Sequence, residues 1–164
     1  MEANTPDLSD LHPEGETLPM VFKSFGGRAR FHGRVRTVRV LEDNALVRKV
    51  LEEEGKGQVL FVDGGGSLRT ALVGGNLARL AWERGWAGVV VYGAVRDVEE
   101  LKEVPIGLLA LAATPRKSAK EGKGEVDVPL RVLEALVLPG SYLLADENGM
   151  LLLPEPPGGG QSGG

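Results

Sequence analysis

The sequence predicts an α/β domain with a parallel central sheet and additional antiparallel strands. Between residues 31 and 113, apolar runs typical of buried strands alternate with amphipathic helical stretches, an order that produces parallel strands joined by crossover helices. After Glu125, short apolar runs are separated by turn signals at Pro139-Gly140 and Glu147-Asn148-Gly149, a pattern typical of antiparallel hairpins. The 164 residues are 42% hydrophobic, which suffices for one core without disulfides.

The first half of the chain is predicted to contain short helices and strands in alternation. Thr5 and Pro6 suit the N-cap and first position of a helix through about Leu11, and a polar loop is expected from there to Leu18. In chain order we then predict a strand over 31–41, a helix capped by Asp43 or Asn44 and stopped at Gly55, a strand over 58–62 and a further strand over 67–73.

The second half continues the pattern. We predict a helix over 76–85, a strand over 88–92, a short helix after Asp97 with the Asp97 side chain as its cap, and a strand over 106–113. Trp82 and Trp86, one helical turn apart, are expected in the core or at a subunit contact. The Pro- and Gly-rich segment over 154–164 cannot bury apolar surface, so we expect one domain over 1–153 and a flexible tail.

Composition excludes several functional classes. The chain has no cysteine, which rules out disulfides, thiolate zinc sites and cysteine nucleophiles and fits a reducing cytoplasm. A net charge of -4 argues against direct nucleic-acid binding, and the alternating basic residues over 30–36 are expected to form the solvated face of a strand. No apolar run is long enough to span a membrane, and the first residues do not resemble a signal peptide, so we expect a soluble, cytoplasmic protein.

Two glycine-rich and polar segments follow predicted strands and mark a candidate site. Gly74-Gly75-Asn76 begins a helix, where free amides and the helix dipole favour a carboxylate or phosphate. Arg96-Asp97 follows the next strand and should reach the same sheet edge, where Arg96 can grip a carboxylate and Asp97 can hold Mg²⁺ or Mn²⁺. The alternative is a glycine pair kept for steric reasons beside an exposed arginine and a simple helix cap. Asp63-Gly64-Gly65-Gly66-Ser67 lacks the spacing of nucleotide-binding loops and indicates a tight turn.

Six segments together resemble the RraA-like family, which contains regulators of ribonuclease E activity and their aldolase relatives. These segments are Phe25-Gly26-Gly27-Arg28-Ala29, Leu41-Glu42-Asp43-Asn44, Val62-Asp63-Gly64-Gly65-Gly66-Ser67-Leu68-Arg69, Leu77-Ala78-Arg79-Leu80-Ala81, Tyr92-Gly93-Ala94-Val95-Arg96 and Ala145-Asp146. The resemblance covers about residues 5–153 and implies the swivelling β/β/α fold and a homotrimer with sites between subunits. It also implies one of two activities: a metal-dependent class II pyruvate aldolase and oxaloacetate decarboxylase, or a protein inhibitor of ribonuclease E.

The aldolase members imply specific roles for residues of this chain. The amides of Gly74, Gly75, Asn76 and Leu77 would hold the carboxylate of a small 2-oxo acid substrate, Arg96 would clamp it, and Asp97 would be the metal ligand. The aldolases carry an aspartate twenty-one positions before the arginine, and this chain has Gly75 there. That aspartate orients a water molecule, so its loss should impair aldol cleavage more than decarboxylation.

The same comparison bears on the choice between the two activities. An inhibitor member of the family has glutamine where this chain has Asp97. Retention of a metal-binding carboxylate therefore favours a magnesium- or manganese-dependent lyase, with the ribonuclease inhibitor as the alternative. A methyltransferase activity, also attributed to the family, would need an adenosine pocket with an acidic residue at a second strand end, and the sequence offers none.

Overall fold

The structure is a computed structural model that describes residues 4–158; residues 159–164, most of the tail predicted to be flexible, lie outside that range. The helices of the described chain are α1 Thr5–Leu11, α2 Ala45–Leu51, α3 Gly75–Glu83 and α4 Val98–Glu103. The strands are β1 Glu16–Pro19, β2 Lys23–Ser24, β3 Phe31–Arg39, β4 Val59–Asp63, β5 Ala71–Val73, β6 Gly88–Val95, β7 Gly107–Ala113, β8 Glu125–Val126, β9 Leu130–Val132, β10 Ala135–Val137, β11 Tyr142–Asp146 and β12 Gly149–Leu153.

A mixed sheet forms the centre of the molecule and confirms the predicted fold class. Strands β3, β4, β6 and β7 run parallel to one another in that order, and the short β5 pairs in parallel with the end of β6. Antiparallel strands extend the sheet on both sides, with β11, β12 and β1 beyond β3 and with β2 beyond β7. The C-terminal strands are therefore antiparallel, as their turn signals predict.

Apolar side chains cover both faces of this sheet. One cluster joins the sheet to α2, α3 and α4 and includes Val47, Leu77 and Leu101, each less than 5% exposed. A second cluster fills the opposite face beneath β9, β10 and β12, around Phe61 and Leu143, which are fully buried. Burial on both faces explains why the central parallel strands read as continuous apolar runs in the sequence.

Several element boundaries differ from the prediction. Asn4, not Thr5, caps α1: its side chain accepts a hydrogen bond from the Asp7 amide at 3.0 Å. Thr5 instead donates its amide and hydroxyl to the buried Asp146 carboxylate, at 2.8 and 2.7 Å. The predicted polar loop before Leu18 contains β1, because its backbone pairs with β12 rather than with water.

Other boundaries also differ from the prediction. Helix α2 ends at Leu51 instead of continuing to Gly55, β3 ends at Arg39, and β5 is confined to 71–73. Strand β6 runs three residues beyond its predicted end at Tyr92, because β5 and β7 both supply backbone partners there. This extension places Arg96 immediately after the strand.

The exposed face of β3 and the tight turn after β4 agree with their predictions. Along β3 the buried and accessible residues alternate, and Arg36 reaches outward to ion pairs with Asp127 and Glu53. In the turn, the Asp63 carboxylate accepts a hydrogen bond from the Gly65 amide at 2.9 Å. Trp86 is buried, whereas Trp82 is 49% exposed. Within residues 4–158, no helix combines the length and the apolar character required to cross a membrane.

Candidate functional site

A pocket of about 160 Å³ lies where β5 and β6 end and α3 begins. Among the residues predicted to form a site, Gly74, Asn76, Leu77, Arg96 and Asp97 all line it. They come from two segments that lie together because β5 and β6 are parallel neighbours, so their carboxyl ends share one edge of the sheet. The amide of Arg96 donates to the Val73 carbonyl at 3.0 Å and fixes the two segments side by side.

Asp97 does not cap the helix that follows it, contrary to prediction. Its backbone lies in the left-handed region, with φ 65° and ψ 47°, and its side chain makes no cap hydrogen bond to α4. The Oδ2 atom instead accepts the amide hydrogen of Gly75 at 2.9 Å, so Asp97 caps α3. A Cβ atom at Gly74 would lie only 2.7 Å from that oxygen, and glycine is therefore needed there for the carboxylate to approach.

The start of α3 still offers hydrogen-bond donors after this contact. Of the first amides of α3, that of Gly75 is occupied by Asp97, while those of Asn76 and Leu77 precede the first intrahelical bond, from Ala78 to Gly74. Arg96 uses only its Nη1 atom, which donates to the Pro115 carbonyl at 3.3 Å. Residues that line the pocket thus retain two amides and most of a guanidinium without a partner in residues 4–158, a set of donors suited to a carboxylate.

Asp97 is the residue of this pocket that could hold a metal ion. Its Oδ1 atom accepts no hydrogen bond from residues 4–158, so one carboxylate oxygen remains open. No group of three or more His, Cys, Asp or Glu side chains within that range is placed to hold a metal ion. A single carboxylate suits Mg²⁺, which keeps several waters and commonly takes its other ligands from the substrate.

The environment of Gly75 differs from the one expected for a missing carboxylate. Its φ is not positive, and it occupies the first position of α3, a conformation open to any residue. A Cβ atom at Gly75 would lie 2.5 Å from Oε2 of Glu100, a carboxylate that α4 projects into this space. Arg79 holds Glu100 there through a 2.7 Å ion pair. The space that a side chain at position 75 would occupy is therefore filled by Glu100.

The sequence prediction missed a second wall of the pocket. Helix α2 supplies Arg48, and the loop after β7 supplies Lys117 and Lys120. The Asn44 side chain joins the two, because its Oδ1 accepts a hydrogen bond from the Lys120 ammonium at 3.4 Å. Its amide also donates to the Leu72 carbonyl of β5 at 3.1 Å. The signal in the sequence was the cationic run Arg116-Lys117 through Lys120 directly after a buried parallel strand.

The buried carboxylate of Asp43 holds this wall in place. It accepts the amide hydrogens of Ala45 at the start of α2 and of Glu121, Gly122 and Lys123 in the loop, at 2.9–3.4 Å. Desolvation by burial would raise the pKa of Asp43, but the backbone donors together outweigh it and lower the pKa below its ordinary value. Asp43 is therefore ionised at neutral pH while only 3% exposed.

Comparison with known proteins gives a consistent family assignment and divergent functional names. A family model described as RraA-like: Aldolase/RraA matches residues 5–152. A Thermus thermophilus protein named 4-hydroxy-4-methyl-2-oxoglutarate aldolase is 85% identical over the full length of both chains. A solved structure of the RNA-processing inhibitor RraA from Thermus thermophilus is 84% identical, with 98% of each chain covered and a TM-score of 0.96. A Geobacillus kaustophilus structure described as an S-adenosylmethionine:2-dimethylmenaquinone methyltransferase is 43% identical, covering 94% of this chain and 97% of that one, with a TM-score of 0.92.

Replacing Asp43 should loosen the second wall and change the response to acid. We expect Asp43→Asn to lower the free energy of unfolding by about 1–3 kcal/mol at pH 7, because an acceptor shared by several amides loses its charge. Because the pKa of Asp43 is lowered in the folded state, its ionised carboxylate stabilises that state fully above about pH 4, the ordinary aspartate pKa. This stabilisation is lost as the pH falls through the folded-state pKa. Denaturant unfolding between pH 2 and 7 measures both effects, with the exposed Asp10→Asn as control. If the unfolding free energies of Asp43→Asn and wild type change in parallel over the whole pH range, Asp43 is not the ionised anchor of this wall.

Proposed function

Since the chain belongs to the RraA-like family, we propose that it is a 4-hydroxy-4-methyl-2-oxoglutarate aldolase that releases pyruvate and also decarboxylates oxaloacetate. The observation that carries the proposal is the meeting of Arg96, Asp97 and the open amides of α3 in one pocket. The aldolase name of the relative that is 85% identical over its whole length supports it.

The substrate's 2-oxo acid group is assigned to the wall made by α3 and the end of β6. Its carboxylate would accept hydrogen bonds from the amides of Asn76 and Leu77, with the positive end of α3 behind them. The guanidinium of Arg96 would grip the same group from the side, because only one of its donors is engaged with Pro115. Binding at this position leaves the remainder of the substrate facing α2 and the loop after β7.

Asp97 would hold a divalent cation, Mg²⁺ or Mn²⁺, through the carboxylate oxygen that Gly75 leaves open. When bound, such an ion acts as a Lewis acid that polarises the 2-oxo group. The carboxylate is oriented in advance, because its other oxygen is anchored to the Gly75 amide. The two oxygens therefore have separate roles: Oδ2 orients the side chain, and Oδ1 would bind the ion.

Cleavage of the substrate forms the enolate of pyruvate. In aldol cleavage the C4 hydroxyl gives its proton to water, its oxygen forms the carbonyl of a second pyruvate, and the C3–C4 bond breaks with its electron pair left on C3. In oxaloacetate decarboxylation the same C3–C4 bond breaks as CO₂ leaves, so no hydroxyl proton needs to be removed. Arg96 and the α3 amides stabilise the negative charge that develops in both reactions, and a proton from water then completes pyruvate.

We expect Arg96 and Asp97 to be required for oxaloacetate decarboxylation. Arg96→Ala should lower kcat/KM about 10²-fold, since it removes charge-assisted hydrogen bonds to the reacting group. Asp97→Asn keeps an oxygen for the Gly75 amide but should weaken Mg²⁺ binding at least about tenfold. Pyruvate release is measured with Mg²⁺ and with chelator, Mg²⁺ affinity is measured by calorimetry, and Arg116→Ala is the exposed control. Release by wild type equal to that of free Mg²⁺ would refute the enzyme proposal.

The alternative function is that of a protein inhibitor of a ribonuclease E-type enzyme. It is favoured by the solved relative of 84% identity, which is described as an RNA-processing inhibitor. Inhibition by surface binding does not require an open oxygen on Asp97 or free amides at α3. Inhibition of a ribonuclease E catalytic domain that is unchanged in Asp97→Asn, combined with no lyase activity in wild type, would establish this alternative.

The role of position 75 can be tested only together with Glu100. Gly75→Asp alone should displace Glu100 from Arg79 and place two carboxylates side by side, so we expect a lower melting temperature and little catalytic gain. Gly75→Asp/Glu100→Ala removes the Glu100 carboxylate, and the remaining Cβ atom of residue 100, 3.2 Å from the new Cβ atom, has to move by only a few tenths of an ångström. Retro-aldol cleavage should then rise about 10²-fold. Decarboxylation should change only a few-fold, and Glu100→Ala is the control. A folded double variant without gain in aldol cleavage would show that the glycine does not limit the reaction.

We further propose that the protein assembles as a homotrimer. Apolar side chains that remain 42–72% exposed support an assembly that covers some of them; these are Leu11, Val21, Leu41, Leu68, Trp82, Leu133 and Leu138. Light scattering coupled to gel filtration should give about three times the 17.4 kDa chain mass. A mass equal to that of one chain across a range of concentrations would rule the trimer out.

A further inference from the structure

A second pocket, of about 430 Å³, lies at the opposite edge of the parallel strands from the candidate functional site. Much of its lining comes from residues that precede those strands, namely Arg28 and Arg30 before β3, Lys56 before β4 and Ala87 before β6. It shares no lining residue with the candidate functional site. The eight residues of β6 separate the two pockets by on the order of 25 Å. A ligand bound in one pocket therefore does not touch the other.

The lining of this second pocket is cationic. It contains four permanently charged cations and no carboxylate; the cations are Arg28, Arg30, Arg34 and Lys56. Two of the arginines each pair with an exposed glutamate outside the lining, and exposed ion pairs of this kind contribute little free energy. Arg28 and Lys56 form no ion pair with a residue in the range 4–158. Two cations thus lack a counter-charge, although the chain as a whole has a net charge of -4.

Lys56 is held at the pocket by a strained turn. Its φ is 53°, in the left-handed region, and the glycines on either side donate their amides to the carbonyls of Arg84 and Gly85 at 2.7 and 2.8 Å. Gly33 allows this turn to approach β3, because a Cβ atom there would lie 2.2 Å from the Gly57 carbonyl oxygen. The left-handed region is unfavourable for a residue with a Cβ atom, and residues held in it recur at functional sites. A glycine would fit the turn better, but it would not bring a charge.

The opposite side of the pocket is equally fixed. The Arg28 amide donates to the Ile106 carbonyl at 3.2 Å, beside the start of β7. The His32 Nδ1 atom is hydrogen-bonded to the Tyr142 hydroxyl, and the Arg34 guanidinium lies over the Tyr142 ring, 5.9 Å from its centroid. Burial lowers the pKa of His32, and nearby positive charge, including that of Arg28, lowers it further, so the imidazole is neutral at pH 7. When the hydroxyl donates to Nδ1, the Nε2 atom carries the hydrogen and adds a donor to the pocket.

The pocket also has an apolar part. Phe31 and Ala87 line it beside the Tyr142 ring. Its volume lies in the range of about 300–1,000 Å³ that is usual for sites of small organic molecules. The lining therefore suits a ligand that combines an anionic group with an organic body.

We propose that this pocket binds a phosphate monoester of a small organic molecule, such as a nucleotide or a sugar phosphate. A phosphate monoester carries a charge of about -1.5 to -2 at pH 7, which matches the two cations without a counter-charge. Its oxygens accept the parallel hydrogen bonds that the Arg28 guanidinium donates, Lys56 supplies a point charge, and the organic body packs against Phe31 and Ala87. A monocarboxylate would leave one of the two cations unneutralised. The inference does not depend on the proposed lyase activity.

The two histidines of the chain provide a local measurement of binding. His32 lines the second pocket, whereas His12 follows α1, does not line it and serves as an internal reference. In NMR titrations at pH 7, adenosine 5′-monophosphate (AMP) should shift the His32 Cε1–H resonance in a saturable manner and leave that of His12 in place. Adenosine and inorganic phosphate should each bind at least about tenfold more weakly, because one lacks the charge and the other lacks the apolar contacts.

The same titration decides against the inference as readily as for it. An unchanged His32 resonance at about 10 mM AMP, or equal affinities for AMP and either adenosine or inorganic phosphate, would overturn it. A titration with glucose 6-phosphate distinguishes the two sources of the phosphate group: tighter binding of AMP identifies nucleotides, and tighter binding of glucose 6-phosphate identifies sugar phosphates.

Variants assign the binding to particular side chains. Arg28→Met and Lys56→Met keep the side-chain length but remove the charge, and each should weaken AMP binding about fivefold. Lys56→Gly should weaken it as much without lowering the melting temperature, because glycine accepts the left-handed backbone, so a lost charge is distinguished from a damaged fold. Arg48→Met, in the candidate functional site, is the matched control and should leave AMP binding unchanged. Well-folded Arg28→Met and Lys56→Met proteins with wild-type affinity for AMP, or loss of that affinity in Arg48→Met, would refute the assignment.

Discussion

The buried carboxylate of Asp43 is the interaction on which the architecture of the pocket most depends. It joins the first residue of α2 to three consecutive amides of the loop over 121–123. Backbone bonds beside it, from Asn44 to Ala119 and from Ala119 to Glu42, complete the connection. A loop of this composition, rich in lysine and glycine, has few apolar side chains to bury. Its position is therefore set by hydrogen bonds rather than by apolar packing, both those to the ionised Asp43 and the backbone bonds beside it. The same bonds fix where its cationic side chains begin.

The other wall depends on the parallel pairing of β5 with β6. That pairing brings the start of α3 beside Arg96 and Asp97, and it continues beyond the point where the apolar run of β6 ends in the sequence. The left-handed backbone at Asp97 then turns its carboxylate back towards Gly75 rather than forward into α4. Such a conformation costs a non-glycine residue about 1 kcal/mol or more, although aspartate tolerates it better than most. The glycine at position 74 gives the carboxylate the space it needs.

Sequence reasoning identified the fold and one wall of the pocket because both depend on local patterns. Apolar runs, glycine pairs and an arginine followed by an aspartate are visible within short windows, and parallel strand order places their ends at one edge. The second wall combines Arg48 with Lys120, seventy-two positions apart, through a carboxylate whose partners are backbone amides. Backbone amides carry no side-chain signature, so no spacing rule could have joined these residues. The contact between Gly75 and Glu100 could not be predicted either, because it depends on how α4 packs against α3.

The geometry at Asp97 bears on the choice between enzyme and inhibitor. If this aspartate served only to cap a helix, an ordinary backbone conformation with its side chain on α4 would satisfy that role without a glycine at position 74. The structure instead has a left-handed residue at Asp97, a glycine at position 74 that leaves space for its carboxylate, and a carboxylate with one oxygen anchored to the Gly75 amide. The other oxygen accepts no hydrogen bond from residues 4–158. The bond from the Gly75 amide to Oδ2 stabilises the start of α3, but it does not explain why Oδ1 is left without such a bond. We infer that this open oxygen serves a ligand, which the proposed reaction requires and a docking surface does not.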